Sequence, residues 1–483
     1  MRPRSLILLL GLGLVAHAQP LGWRHDGTGV YPTAFPPVAL AKGHQLAWEA
    51  TTSGWGNATP VRAGGLLLVT VEPTRLLALD VNTGRTRWQA DHPVTEALTG
   101  EERARIAARV AEADAAEVEL QTARTAYSEL QRQARRSTGD PEISARLAAA
   151  SAALDKLKRS IDEAAAYRTP PDKEIIGYAS PTPVTDGARI WAVFGNGVVA
   201  CHNLDGTLVW TRWMGPPSTT MRGYAFGQTA SPQLVGSTLV VGFGKLTGLD
   251  AATGAVRWTA GPYDDYGTPA VARVDGIDLV LTPRGVVHRA SDGVVLAKDL
   301  GDLVYIGPTV IGRDVYYVGT NSTQHRDMNG AVSATAWRLA KDASGGIVAT
   351  RRWQTVLQTG QALYAPPVVH KGLIYAVTKR AELHVIDDRD GSVVYTQALG
   401  DRLMGDVFPS PSVAGDLLYL FSASGTALTL ALGRSFQQHA LTSLDPMRST
   451  PLFEGERIYL RTLDKVYAFD GAIPIGPGID QPR

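Results

Sequence analysis

The chain has 483 residues, 44% of them hydrophobic, with 50 glycines and a formal net charge of +1. Near-neutrality without a basic stripe removes the electrostatic reason to expect a nucleic-acid partner, and the glycine content favours many turns over many long helices. The single cysteine, Cys201, excludes an intramolecular disulfide.

At the start of the chain, Arg2 and Arg4 precede the apolar run Leu6 to Val15 and then Ala16-His17-Ala18. A basic segment, a short apolar segment and an A-x-A site read as a secretory signal peptide over residues 1–18. The run is shorter than the ~20 residues that a spanning helix needs. The expected mature chain is exported, periplasmic or extracellular, soluble and without a membrane span. It is not a lipoprotein, because Cys201 lies far from the cleavage point. Residues 19–43 read as an N-terminal extension and 474–483 as a C-terminal tail.

Between them, over 44–96 and 169–473, two signatures recur. One is a proline that begins a short β-rich run: Pro60, Pro183, Pro232, Pro269, Pro308, Pro367, Pro411 and Pro451. The other is the frame of Ala78, Asp80, Gly84 and Trp88. It returns as Gly248, Asp250, Gly254 and Trp258, as Ala200, His202, Gly206 and Trp210, and as Asp387, Gly391 and Tyr395, with eroded copies near Gly293 and Trp353. About eight units with periods near 40 residues fall in the range of propellers and solenoids, and the runs within each unit are short strands. In the frame, Asp bonds amides ahead of it and Gly takes a positive φ, so the chain reverses. The ring that follows sits on an outermost strand, where it can cover the next unit. The last unit lacks such a ring, and Trp48 stands before the first. The N-terminal strand is therefore expected to complete the last unit and close the circle.

Residues 97–168 break this pattern. Thr99 and Glu102 form a capping-box pattern at the head of a charged, alanine-rich helix that runs to about Arg136. Asp140-Pro141-Glu142 opens a second helix. The stripe Ile143, Leu147, Ala150, Leu154, Leu157, Ile161 and Ala164 alternates spacings of four and three, and the first helix carries Ile106, Val110, Ala113, Leu120, Ala123, Tyr127, Leu130 and Ala134. The pair reads as an antiparallel coiled-coil hairpin of ~35 to 55 Å, either an arm for a partner or a solvated decoration.

The frame and the proline signature together resemble the β-propellers of the pyrroloquinoline-quinone-like repeat family. Among its members the resemblance extends to the propeller subunits of the outer-membrane β-barrel assembly machinery and to non-catalytic relatives of quinoprotein dehydrogenases. It implies an all-β, eight-bladed β-propeller closed by the N-terminal strand, with the helical hairpin inserted. The expected function is non-enzymatic: a monomeric scaffold binding other cell-envelope proteins, through the hairpin among other surfaces. The alternative is a dehydrogenase of alcohols or sugars using pyrroloquinoline quinone with calcium.

Dehydrogenases of the family hold that quinone over the propeller centre with a metal ion and a catalytic Asp, and many add paired cysteines. No such set maps onto this chain, so no catalytic, cofactor-binding or metal residue is assigned. His25, His44, His202, His288, His370, His384 and His439 lack metal-ligand spacing, and Asp387 to Gly391 reads as a repeat turn rather than a calcium loop. One set of residues could bind a ligand. Trp55, Tyr178, Phe226, Tyr266, Tyr305, Tyr364 and Phe408 each precede an innermost strand, with Arg222, Asp265 and Arg402 nearby, so they are expected to ring one mouth of the central channel. Packing between neighbouring units is the other reading of the same aromatics.

Overall fold

Short runs of Val, Leu, Ile and Tyr bounded by Gly and Pro become strands throughout the chain. The computed structural model describes residues 20–43, 45–137, 139–169, 176–216, 229–263, 265–321, 332–357 and 359–471. The expected signal peptide and C-terminal tail, and His44, Arg222 and Phe226, lie outside them.

Among the described residues the strands form eight sheets, most of them four-stranded. In chain order they occupy residues 61–91, 184–213, 233–263, 270–297, 309–357, 368–398, 412–443 and 452–469. Each is an antiparallel meander whose first strand directly follows one of the repeat prolines. The third has three strands of its own, because Thr238–Asp250 runs unbroken where the other sheets turn. Burial follows the order of strands. In the first sheet Leu66–Val71 is almost entirely buried, while the outermost strand, Thr86–Asp91, is largely exposed. Inner strands covered on both faces and wetter outer ones are the pattern of propeller blades, and the architecture is a β-propeller.

Two of the sheets borrow strands from the N-terminal segment. Leu46–Thr51 pairs antiparallel with Lys465–Phe469, placing Trp48 opposite Ala468. Val30–Tyr31 pairs in parallel with Val413 and Ala414 of the seventh sheet.

The segment before Tyr31 touches innermost strands all around the molecule. Leu21 bridges Thr185 of the second sheet, and Arg24 donates to Thr309 Oγ1 (3.2 Å) of the fifth and to the carbonyl of Pro367 (2.6 Å) at the head of the sixth. The Tyr31 hydroxyl donates to the Pro451 carbonyl (3.2 Å) at the head of the eighth. Only a segment on the propeller axis can make those contacts at once, so residues 20–31 fill the central channel. They double back there through the left-handed conformations of Arg24, His25, Gly27 and Gly29. Residues 36–40 then cross the flank of the seventh sheet. The Tyr419 hydroxyl lies 3.3 and 3.1 Å from the Pro36 and Pro37 carbonyls, and Thr429 Oγ1 donates to Val38.

The insert forms helix α1, Gly100–Arg136, and helix α2, Pro141–Ala164. Thr99 is the N-cap of α1 but makes no side-chain cap bond, whereas Asp140 accepts from Glu142 and Ile143 at the head of α2. Every residue of the two expected stripes is buried or half-buried, amid exposed neighbours. Ala116, also buried, extends the stripe of α1. No helix among the described residues is long and apolar enough to cross a membrane.

Candidate binding face: the channel mouth and the hairpin root

The repeat proline fixes the register of the mouth. The residue just before it is Thr59, Thr182, Ser231, Thr268, Ser410 or Thr450 in six of the eight units, with Gly307 and Pro366 in the other two. Four of these hydroxyls link neighbouring sheets. The Thr59 N–H donates to Thr182 Oγ1 (3.0 Å), Thr182 N–H to Ser231 Oγ (3.0 Å), Ser231 N–H to Thr268 Oγ1 (3.0 Å) and Ser410 N–H to Thr450 Oγ1 (2.9 Å). Buried amides are thereby satisfied across these four seams. Where Gly307 and Pro366 interrupt the belt, Arg24 from the channel segment binds instead, through Thr309 and Pro367. The column of Ser and Thr before Pro is visible in the sequence, but its role is legible only with the sheets side by side.

Three residues before each proline stand Asn57, Ser180, Thr229, Tyr266, Tyr305, Tyr364, Phe408 and Arg448. All eight line one cavity of about 150 Å³ at the channel mouth, together with Trp23 from the channel segment. Four of the expected mouth aromatics are thus brought together. Tyr266 and Tyr305 stack at 6.1 Å, Tyr305 meets Tyr364 edge-on at 4.9 Å, and Tyr364 stacks on Phe408 at 5.5 Å. Lys379 Nζ donates to Tyr364 Oη (3.2 Å), and the Arg448 guanidinium lies 5.7 Å from the Phe408 ring centre.

The other expected mouth residues fall elsewhere. Trp55 and Tyr178 stand five residues before their prolines and do not line the cavity. They flank Glu72, whose carboxylate accepts the Tyr178 and Ala179 N–H groups (2.9 and 2.6 Å), with the Trp55 ring against Gly177. Burial pushes the Glu72 carboxyl up to about 7. Arg402 sits over Phe436 at 5.5 Å, and Asp265 pairs with Arg284 (2.7 Å). Trp55 and Tyr178 differ from the mouth set by a two-residue shift of register, which their aromatic character concealed.

The frame residues lie at the seams. Asp80 Oδ1 accepts from the Asn82 and Thr83 amides and Asp250 Oδ1 from the Ala252 and Thr253 amides. Asp387 does the same for Arg389, and Ala78 and Ala200 are fully buried. Each tryptophan docks on the glycine of the following sheet. A Cβ on Gly84 would stand 2.5 Å from the Trp48 ring, on Gly206 2.8 Å from Trp88 and on Gly254 2.6 Å from Trp210. On Gly293 it would stand 2.6 Å from Trp258, and on Gly391 2.5 Å from Trp353. Each indole N–H then reaches a carbonyl in the same turn: Val81, Leu204, Ala251, Ala290 or Asp388. Tyr395 lacks that N–H, and the sixth sheet meets the seventh through Asp387 with Arg434 (2.8 Å) and Tyr375 Oη with the Gly433 N–H (2.9 Å).

The hairpin enlarges the connection from the outermost strand of the first sheet to the innermost of the second, the same connection that carries Ser180 and Thr182. Its root is therefore on the mouth side. There Val94, Leu98 and Ile106 pack on Val198 of the second sheet, with Tyr167 5.2 Å from Trp213. Two of the four buried histidines among the described residues meet beneath it: His202 Nδ1 donates to the Gly206 carbonyl (2.9 Å), and the Nε2 atoms of His202 and His92 are 3.2 Å apart. With His202 Nδ1 protonated, its Nε2 accepts and His92 Nε2–H donates. Burial pushes His92 down to about 3, with the neighbouring His202 adding to the shift.

The described lining of the mouth offers one carboxamide and no carboxylate, and no cluster of three or more His, Cys, Asp or Glu occurs among the described residues. A calcium ion takes several oxygen ligands, carboxylates among them. The described residues do not fit a calcium-held quinone, and no chemical step is derived through one.

Comparison with solved structures returns BamB from Moraxella catarrhalis at 13% identity and TM-score 0.44, over 59% of this chain and 82% of that one. A europium-containing methanol dehydrogenase is 11% identical with TM-score 0.49, over 93% and 98% of the two chains. The quinohemoprotein alcohol dehydrogenase of Comamonas testosteroni is 12% identical with TM-score 0.43, over 97% and 83%. No curated protein matches the sequence significantly. The family model described as outer membrane protein assembly factor BamB matches residues 38–151, 162–297 and 332–472. Spanning most of the propeller, that match makes the chain a member of the BamB-like, pyrroloquinoline-quinone-repeat family of β-propellers.

Proposed function

We propose that the protein is an exported, non-enzymatic scaffold of the cell envelope. Its eight sheets act as the blades of one ring closed by the strand Leu46–Thr51, and the hairpin serves as an arm for other envelope proteins. The family description, an outer-membrane protein assembly factor, supports a role in protein interaction. The observation that carries the reading is the root of the hairpin. It is keyed into the second sheet through Ile106, Val198 and Trp213, so the arm rises in a set direction from the side that holds the mouth. A solvated decoration needs no such key. Beyond the root its two helices satisfy each other, as paired stripes do.

The test is to shorten the arm while sparing its root, replacing residues 118–158 with a short Gly/Ser linker. Leu98, Ile106 and Tyr167 stay in place, so the melting temperature is expected to move by less than about 3 °C, on the order of 1 kcal/mol. Cross-linking in envelope extract should then lose at least one specific adduct formed by the intact chain. An unchanged set of adducts would reduce the arm to decoration. Saturable dye reduction with alcohols or sugars, on adding pyrroloquinoline quinone and calcium, would end the scaffold reading.

A further inference from the structure

Four residues after the turn glycine stand Trp88, Trp210, Trp258 and Tyr395 on the first, second, third and sixth sheets, but Ala297 on the fourth. The outermost strand of the seventh sheet, Gln438–Ser443, also lacks Trp and Tyr. These two ringless seams are finished differently. Between the seventh and eighth sheets the chain inserts its own residues 36–40. The Tyr419 hydroxyl donates to the Pro36 and Pro37 carbonyls (3.3 and 3.1 Å), Thr429 Oγ1 donates to the Val38 carbonyl (2.8 Å), and Thr442 Oγ1 accepts from the Leu40 N–H (3.3 Å). Leu40 is buried in the core that joins the two sheets. Hydroxyls on the sheet face thus hold an extended backbone while an apolar side chain enters the seam.

The seam between the fourth and fifth sheets holds a cavity instead. The outermost strand of the fourth sheet, Val295–Ala297, has three residues where the others have from six to eleven, so it leaves part of the fifth sheet uncovered. Alternation puts Ser333, Thr335 and Trp337 on one face of the third strand there, with Tyr317 beside Thr335 on the second. Together with Leu300 and Leu303 they line a space of about 320 Å³. Leu300, Leu303 and Tyr317 belong to the apolar core that joins the two sheets, and the cavity continues it. Among the described residues nothing hydrogen-bonds the Ser333 or Thr335 hydroxyl, although Thr335 is only 7% exposed. Buried polar groups are normally satisfied.

We propose that this seam receives an extended apolar segment of a partner polypeptide, its backbone on the Ser333 and Thr335 hydroxyls and one apolar side chain lodged between Trp337 and the Leu300 and Leu303 side chains. Three observations select this occupant. The other ringless seam is filled by such a segment, held by Tyr and Thr hydroxyls. The cavity is continuous with an interface already formed between two sheets, so an apolar side chain entering it extends that burial. The hydroxyls stand two residues apart on one strand, where they can serve main-chain groups while the cavity takes a side chain, the division of roles in extended-peptide recognition. The inference deepens the scaffold reading and rests on it.

The probe is a fluorescein-labelled peptide of residues 33–41, Thr-Ala-Phe-Pro-Pro-Val-Ala-Leu-Ala, the one sequence seen to fill a ringless seam, read by anisotropy on the full chain. A second peptide carries serine in place of Val38 and Leu40, and unlabelled chitohexaose is the competitor that represents a glycan. Thr335→Val removes a hydroxyl that bonds nothing in the described fold, so the melting temperature should hold or rise. Ser333→Phe puts a ring into the cavity. Expected are saturable binding, at least fivefold weaker binding of the serine peptide, and at least a fivefold loss in each variant. Thr429→Val, in the seam between the seventh and eighth sheets, should leave the affinity within twofold. No saturable binding by the folded chain, or indifference to both cavity substitutions, would overturn the site. Sensitivity to Thr429→Val alone would show that the peptide merely displaces residues 36–40, which also overturns it. Equal competition by chitohexaose would overturn a polypeptide as the occupant. The arm-shortened chain keeps this seam, so failure of the arm and failure of the seam give separate results.

Discussion

At the scale of single residues, the seams of the propeller are held by a pair split between neighbours: a tryptophan on one sheet and a positive-φ glycine on the next. That division explains the erosion of the repeat. The fourth sheet keeps Gly293, which receives Trp258, but its outer strand Val295–Ala297 carries no tryptophan. The matching turn of the fifth sheet then has no ring to receive, and a Cβ on Gly345 would meet only Lys341 at 3.8 Å. The two glycines should respond differently to alanine. Gly254 (φ +72°) and Gly345 (φ +86°) share the backbone penalty of about 1 kcal/mol. Only Gly254→Ala also drives a methyl into an indole, an overpacking that typically adds ~1–3 kcal/mol. Urea denaturation of both variants measures the gap, and equal losses would count against ring docking. The frame was legible in the sequence because Asp, Gly and Trp recur at fixed spacing. That the ring covers the next unit was an expectation of the sequence; the glycine that receives it was not, because spacing within one unit says nothing about which residue of the neighbour lies under the ring.

At the scale of elements, the root of the hairpin is where the sequence reading and the structure complement each other. The heptad stripes set the two helices and their burial. They carry no information about Val198 or Trp213, which lie outside the insert and look like ordinary strand residues. The same holds for His92 and His202: one ends the first sheet, the other replaces a turn aspartate, and only folding brings them to 3.2 Å. Burial lowers both below the ordinary histidine value. A lowered histidine leaves the folded state with fewer bound protons than the unfolded one, so its contribution is full above pH 6.5 and is lost as pH falls toward 3. Glu72, pushed up to about 7 on the other side of the insert, has the opposite sign: its contribution is full below about 4.5 and is lost as pH rises through 7. Because the two overlap between pH 4.5 and 6.5, the difference between parent and variant is the readout. In urea unfolding from pH 7 to pH 4.5, His92→Gln is expected to lose less stability than the parent. Parallel pH profiles would show that the pair does not couple to folding.

At the scale of the whole molecule, the N-terminal segment does three things. Residues 20–31 fill the channel, residues 36–40 cover the flank of the seventh sheet, and Leu46–Thr51 completes the eighth, with Trp48 docked on Gly84 of the first. A lone Trp before the first unit made the pairing of the N-terminal strand with the last sheet readable. The channel segment was not readable, since residues 19–43 match no repeat and carry no strong period. Their partners, such as Thr309, Pro367 and Pro451, are scattered over the far end of the chain. In the proposed reading, a mouth closed at its base and an arm rising from the same side both depend on this segment drawing the sheets into one ring.

The most direct test compares thermal unfolding of the mature chain with a version beginning at residue 53. Loss of Trp48 alone removes a buried aromatic, of order 3–5 kcal/mol, and the channel is emptied at the same time. The account expects the parent to melt in one cooperative transition, and the shortened chain to melt at least roughly 10 °C lower with faster hydrogen exchange in Lys465–Phe469. Identical melting and exchange in the two chains would contradict a ring closed by its own N-terminus.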